Sequence, residues 1–133
     1  MKVIIHTDGG ARGNPGPAAL GVVIATPAGE RLLKHGRYIG ETTNNQAEYQ
    51  AVVDALEHAH ALGATEADVF LDSELVVRQL NRQYRVKDPG LAEQFMRVWN
   101  HLTKFKKVTF THIRRELNKE ADALVNEALD RHV

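Results

Sequence analysis

Four carboxylates stand where a soluble fold has little structural use for an acid: Asp8 in HTDGGARGNPGPA, Glu48 in TTNNQAEY, Asp72 in VFLDSELV and Asp122 in NKEADALV. Each falls at the end of an apolar strand pattern, or on or beside the apolar stripe of a helix pattern. If the fold brings them together, each pair repels by roughly 4 kcal/mol at about 4 Å and an effective dielectric near 20. Bound cations or raised pKa values relieve such repulsion. Clustered hard oxygen donors suit Mg²⁺ or Mn²⁺, and sites of that kind usually meet phosphate.

Each acid also has a plain structural use. Asp8 precedes Gly9 and Gly10, and Asp-Gly is a common turn dipeptide, although glycines equally let a ligand approach the backbone. Glu48 shares a helix face with Val52 and Leu56, so it must be partnered when buried. A capping box with Thr43 or Asn45 is the structural alternative to metal ligation there. Asp72 ends a strand and could cap the next helix with Ser73. Asp122, beside Ala121 and Val125, could be a solvated helix acid. The polar set of Asn14, Thr42, Thr43, Asn44 and Asn45 exceeds what capping needs and suits phosphate and sugar hydroxyls.

The elements that must position these groups follow from periodicity. Residues 2–8 read as a buried strand ending in a Gly/Asn/Pro turn, and 19–26 and 31–39 flank the hairpin signal PAGE. A helix capped by Thr43 or Asn44 runs to about Leu62, with Ala47, Glu48, Val52, Ala55, Leu56 and Ala59 at the 3.6 period, and Gly63 stops it. Residues 67–72 form a strand, Ser73 opens a helix to about Leu80, and Pro89 starts another through Leu102. VTFTHI (108–113) is the last strand, with His112 on the face of Val108 and Phe110. The final helix begins near Asn118 and buries Ala121, Leu124, Val125, Ala128 and Leu129. The order βββαβααβα implies an α/β fold, a mixed sheet with helices packed on its faces, in one domain spanning 1–133.

With 133 residues and 43% apolar content, one hydrophobic core is expected. The absence of cysteine excludes disulfides, thiolate zinc sites and cysteine nucleophiles. No signal peptide or membrane span is legible, so a cytoplasmic protein without membrane association is expected. Seventeen basic residues balance seventeen acidic ones, so nucleic-acid binding would have to be local. Arg78, Arg82 and Arg85 recur at helical spacing ahead of Lys87, and Lys104, Lys106 and Lys107 form a second cluster. A solvated face is the alternative reading of the arginines.

Taken together, T-D-G-G-x-R-G-N-P-G-P-A, T-N-N-x-A-E, D-S-x-L-V and H-x-x-R-x-x-N-x-x-A-D resemble type 1 ribonuclease H over almost the whole chain. The resemblance implies a five-stranded mixed sheet. It also implies hydrolysis of the RNA strand of an RNA–DNA hybrid with two divalent metals (Mg²⁺, with Mn²⁺ able to substitute), leaving 5′-phosphate and 3′-hydroxyl ends. Asp8, Glu48, Asp72 and Asp122 are then the metal ligands, with Asp8 bridging both ions. Gly9, Gly10, Asn14, Asn44 and Asn45 would read 2′-hydroxyls in the minor groove, and Thr43 would hold a DNA-strand phosphate. Recognition through sugars and phosphates implies little sequence specificity.

Departures from the family pattern accompany the match. Glu74 stands where an amide is often found. The segment NRQYRVKDPG is short, so the basic, tryptophan-rich protrusion of some members is absent and hybrid binding leans on Arg78, Arg82, Arg85, Lys87 and the Lys104–Lys107 cluster. No N-terminal hybrid-binding domain is seen, and a free-standing monomer is expected. His112 stands ten residues before Asp122: it is either the family's mobile histidine or a strand residue packed on the core, and the alternation favours the core. Arg114 or Arg115 could approach the scissile phosphate instead. The competing functions are a catalytically silent hybrid- or double-strand-RNA-binding module and a related nuclease, one also acting on double-stranded RNA, the ribonuclease H part of a reverse transcriptase or a DNA-cutting resolvase.

Overall fold

Val3, Ile5 and Thr7 alternate on one face of β1 (Lys2–Ala11) and are fully buried, which places this strand at the centre of the molecule. The structure, a computed structural model, describes residues 1–132. β1 is followed by β2 (Gly16–Ala25), β3 (Arg31–Thr42), α1 (Asn44–Ala61), β4 (Glu66–Leu71), α2 (Glu74–Leu80), α3 (Pro89–Leu102), β5 (Lys107–His112), a 3₁₀ turn (Arg115–Leu117) and α4 (Lys119–Arg131). The expected βββαβααβα order is present. The five strands form one mixed sheet in the order β3-β2-β1-β4-β5, with β1–β2 and β2–β3 antiparallel and β1–β4 and β4–β5 parallel. No helix among the described residues is long and apolar enough to cross a membrane.

Two layers cover the sheet. Leu20, Val22 and Ile24 of β2, together with Val3 and Ile5, meet Ala51, Val52, Ala55, Leu56 and Ala59 of α1 and Leu91 and Val98 of α3. On the other face Ala19 and Tyr38 meet Val125, Ala128 and Leu129 of α4. Leu124, expected among the buried residues, is only half-buried. Close approach seats α4: a β-carbon on Gly36 would lie 2.8 Å from the Leu124 carbonyl oxygen, and one on Gly21 would overlap the Ala121 carbonyl. Only residues without side chains let this helix lie so near the strands.

The early strands are longer than their apolar patterns. β1 runs to Ala11 because its backbone keeps pairing with β2, Asp8 opposite Gly21 and Ala11 opposite Ala18. Asp8 is therefore inside a strand rather than at its end. Its pairing with β4, however, stops at Thr7 opposite Leu71. Past that rung β1 has no β4 neighbour, and Asp8 and the next residue of β4's exit, Asp72, stand side by side at the sheet's open end.

Candidate active site

The open end of the sheet is a cleft of about 440 Å³ reached by side chains from both helical layers. Asp8 comes from β1, Glu48 from the second turn of α1 and Asp72 from the exit of β4, and one carboxylate oxygen of each lies within 4.8 Å of the others. Asp122, in the first turn of α4, lines the same cleft with Gly9, Gly10, Asn44, Asn45, Ser73 and Arg115.

The structural uses open to these acids are taken by other residues. Ser73, not Asp72, caps α2 by accepting from the Val76 amide at 3.3 Å. Thr43 caps α1 by accepting from Gln46 at 3.2 Å, so no capping box holds Glu48. Instead Glu48 accepts the Gly9 amide at 2.5 Å, across the gap between α1 and β1. Burial is the largest influence on Glu48, followed by the charges of Asp8 and Asp72, and together they raise its pKa well above the usual carboxylate range. Burial likewise dominates at Asp8, with Asp72 the largest charge acting on it, and its pKa rises to about 7. Such values belong to the cluster and mark a site short of positive charge. Four hard oxygen donors with no imidazole or sulfur among them fit divalent cations of the Mg²⁺ type.

The surrounding polar residues are fixed by backbone. Asn14 accepts the Asn44 amide at 3.0 Å, and Asn44 accepts the Ala11 amide at 2.8 Å. With both carbonyl oxygens engaged, Nδ2 of each remains to donate to a ligand. Arg115 approaches Asp122, Nη2 to Oδ1 at 3.8 Å, and is 81% exposed, whereas Arg114 turns to Glu116. Asn118, read only as the start of the last helix, is 1% exposed and donates Nδ2 to the Thr7 carbonyl at 2.8 Å. It pins the first turn of α4, and with it Asp122, to β1. An asparagine before a helix reads as a cap, and nothing local distinguishes it from a tether to a strand more than a hundred residues earlier.

Three expectations need correction. His112 is exposed and is not packed on the core: although it is in register with Leu71, the cover over β5 ends at Phe110. Arg78, Arg82 and Arg85 do not share a helix face, because α2 ends at Leu80 and Arg82 adopts φ +63°. Arg78 instead stacks over Tyr84 and Arg82 over Trp99, each 5.3 Å from the ring centroid. Lys104, Lys106 and Lys107 precede or begin β5, where Lys107 is in register with Glu66 at the start of β4. The carboxylates sit past the other end of these parallel strands, about 20 Å away. The lysine cluster therefore lies at the wrong end of the sheet to serve the cleft. Glu74 points to Arg78, Nη2 to Oε2 at 3.5 Å, and does not line the cleft.

Residues 6–128 match the family model described as reverse transcriptase-like. Ribonuclease HI of Halobacterium salinarum is 43% identical over 129 residues, covering 97% of this chain and 65% of that protein. The RNase H1 crystal structure from that archaeon superimposes with a TM-score of 0.96, over 98% of this chain and 99% of the other. The bifunctional protein Rv2228c of Mycobacterium tuberculosis is 41% identical over 131 residues, 98% of this chain and 36% of its own length. LC11-RNase H1, solved in complex with RNA/DNA hybrid, is 48% identical with a TM-score of 0.94, covering 98% of each chain. The chain thus spans between about a third and two thirds of the length of the curated relatives it matches. On this fold and these matches, the chain belongs to the reverse transcriptase-like family, as a ribonuclease H-like domain of the short form.

Proposed function

We propose that the domain hydrolyses the RNA strand of RNA–DNA hybrids, leaving 5′-phosphate and 3′-hydroxyl ends. The observation that carries this reading is the convergence of Asp8, Glu48 and Asp72 from three elements within 4.8 Å, with Asp122 facing the same cleft. A pure binding module gains nothing from uncompensated acids aimed at phosphate. Asp8, Glu48, Asp72 and Asp122 would hold two divalent cations, Mg²⁺ or Mn²⁺. Bound there, such ions would acidify the attacking water and neutralise charge on the leaving oxygen.

The chain's own residues supply position. Glu48 is oriented by the Gly9 amide, and Asn118 holds the helix that carries Asp122. Asn14 and Asn44, with Asn45 and the Gly9–Gly10 backbone, offer donors suited to 2′-hydroxyls and so to a strand of RNA. The Thr43 hydroxyl proton stays available to a phosphate while its oxygen caps α1. That LC11-RNase H1 was solved with RNA/DNA hybrid supports the same substrate for this domain. Cleavage of RNA–DNA, RNA–RNA and DNA–DNA duplexes, each with Mg²⁺, Mn²⁺ or EDTA, tests the reading. Selective metal-dependent cutting of the hybrid is expected, and binding without cutting would establish a silent module instead.

Arg115 is the cation nearest the carboxylates and is expected to meet the scissile phosphate. Arg115→Ala should slow turnover about tenfold, the size of one charge-assisted hydrogen bond, with little change in melting temperature. His112→Ala should leave both turnover and stability close to those of the parent, since His112 is exposed and outside the cleft lining. Turnover and thermal melts on the two variants decide between them, and a larger loss for His112→Ala reverses the assignment.

Hybrid binding should be salt-dependent despite zero net charge, through Arg78, Arg82 and Arg85. Replacing all three by Gln should flatten log affinity against log salt by about 0.9 for each phosphate that is no longer neutralised. An unchanged slope would show that stacking on Tyr84 and Trp99 is all that Arg78 and Arg82 do.

A further inference from the structure

We propose that His35, Asp54 and His58 form a zinc-binding site that ties the edge strand β3 to α1. One nitrogen of each imidazole and one oxygen of Asp54 lie within 4.8 Å of one another. Asp54 and His58 are one turn apart on α1, where residues four apart share a face. His35 reaches them from β3, one of the two edge strands of the sheet. Its Nε2 lies 3.8 Å from Asp54 Oδ2, His58 Nδ1 lies 3.0 Å from Asp54 Oδ1, and the two rings are 4.8 Å apart. Donors about 2.0 Å from a tetrahedral zinc ion stand about 3.3 Å from each other. The observed separations bracket that value.

The state of Asp54 makes this more than a surface ion pair. Its side chain is 7% exposed, and Oδ1 has no aligned hydrogen-bond donor. Arg37 approaches only Oδ2, at 3.4 Å, from a half-exposed position. His58 Nδ1 lies 2.9 Å from the Asp54 main-chain oxygen. A carbonyl oxygen only accepts, so Nδ1 carries the proton in the metal-free chain and would pass it to Nε2 when zinc takes the Nδ1 lone pair. A buried carboxylate oxygen without a donor is costly, and a divalent cation would satisfy it. Two imidazoles and one carboxylate, at a partly exposed edge that leaves room for water, suit zinc and not magnesium. The site is separate from the all-oxygen cluster: Asp54 is six residues beyond Glu48, about 9 Å along the helix.

The test titrates ZnCl₂ into the full chain by calorimetry, in an Asp8→Asn/Asp72→Asn background that removes the affinity of the carboxylate cluster. One zinc ion per chain is expected, with a dissociation constant below about 10 μM. Adding His35→Gln/His58→Gln should weaken binding at least about 100-fold, and His35→Gln alone about tenfold, with circular dichroism unchanged. Zinc should raise the melting temperature only where the histidines are intact. His35→Gln lies on an edge strand, so it still reads the site if the double replacement unfolds. Zinc binding that is absent from the background, or untouched by the histidine replacements, overturns the proposal.

Discussion

Asp8→Asn is expected to lower hybrid cleavage in Mg²⁺ by about 10³-fold or more while making the metal-free domain more stable. The loss follows from position: Asp8 is the acid on which Asp72 and Asp122 act and which acts in turn on Glu48, so its charge is central to any cation held there. Removing one preorganised electrostatic group from such a site commonly costs about 10²–10³ in rate, and the acid at the centre of the cluster should cost at least the upper value. The gain in stability follows from linkage. In EDTA the folded state holds the Asp8 proton up to about pH 7, whereas an unfolded aspartate releases it near its ordinary value of 3.8. Between those values the folded state binds more protons, so the stability contributed by protonated Asp8 is complete at low pH and is lost as pH rises through about 7. Asparagine escapes that loss, which reaches about 2–4 kcal/mol above pH 7. The variant should therefore melt roughly 5–15 °C higher than the parent at pH 8 in EDTA, and the difference should vanish near pH 4. Turnover near the parent's in Mg²⁺ would sink the ligand assignment. A melting difference independent of pH would sink the account of mutual repulsion.

Gly9→Ala should be the most damaging of the small substitutions, and Gly10→Ala beside it should be tolerated. A β-carbon on Gly9 would overlap the Ala47 carbonyl and approach the Glu48 amide nitrogen at 2.5 Å, so only backbone movement can make room. α1 would have to lift from β1, breaking the bond between the Gly9 amide and Glu48. Overpacking against backbone should destabilise by about 3 kcal/mol or more, and cleavage per folded molecule should fall with it as Glu48 loses its orientation. At Gly10 the same carbon would meet only the Val125 Cγ1, at an ordinary 3.7 Å. Denaturant melts of both variants check this, and equal stabilities would show that β1 and α1 part without strain.

The amino-acid sequence by itself determined the order of elements and the four acids, because both are written in local signals. Apolar residues at period two or 3.6, with Gly63 and Pro89 as punctuation, show where strands and helices lie, and an acid on an apolar stripe shows that something must partner it. The caps were legible to within one residue, Thr43 or Asn44 for α1 and Asp72 or Ser73 for α2, since a cap bonds within three residues of itself, and the structure uses Thr43 and Ser73. Strand length was less legible: β1 passes Asp8 because β2 pairs with it, and pairing leaves no mark in one strand alone.

The tertiary structure alone decided which alternatives were realised. Glu48 could have closed a capping box but bonds to Gly9, 39 residues away, because α1 crosses β1 where glycine permits close approach. Alternation put His112 with Val108 and Phe110, but burial depends on what lies over the face, and the covering layer stops short of the strand's end. Helical spacing joined three arginines that a left-handed residue at Arg82 separates. His35, Asp54 and His58 carried no sequence signal, since two are a turn apart on a helix and the third is on an edge strand. Such groupings depend on pairing and packing between distant segments, and the distances that matter to charge and metal chemistry are set there.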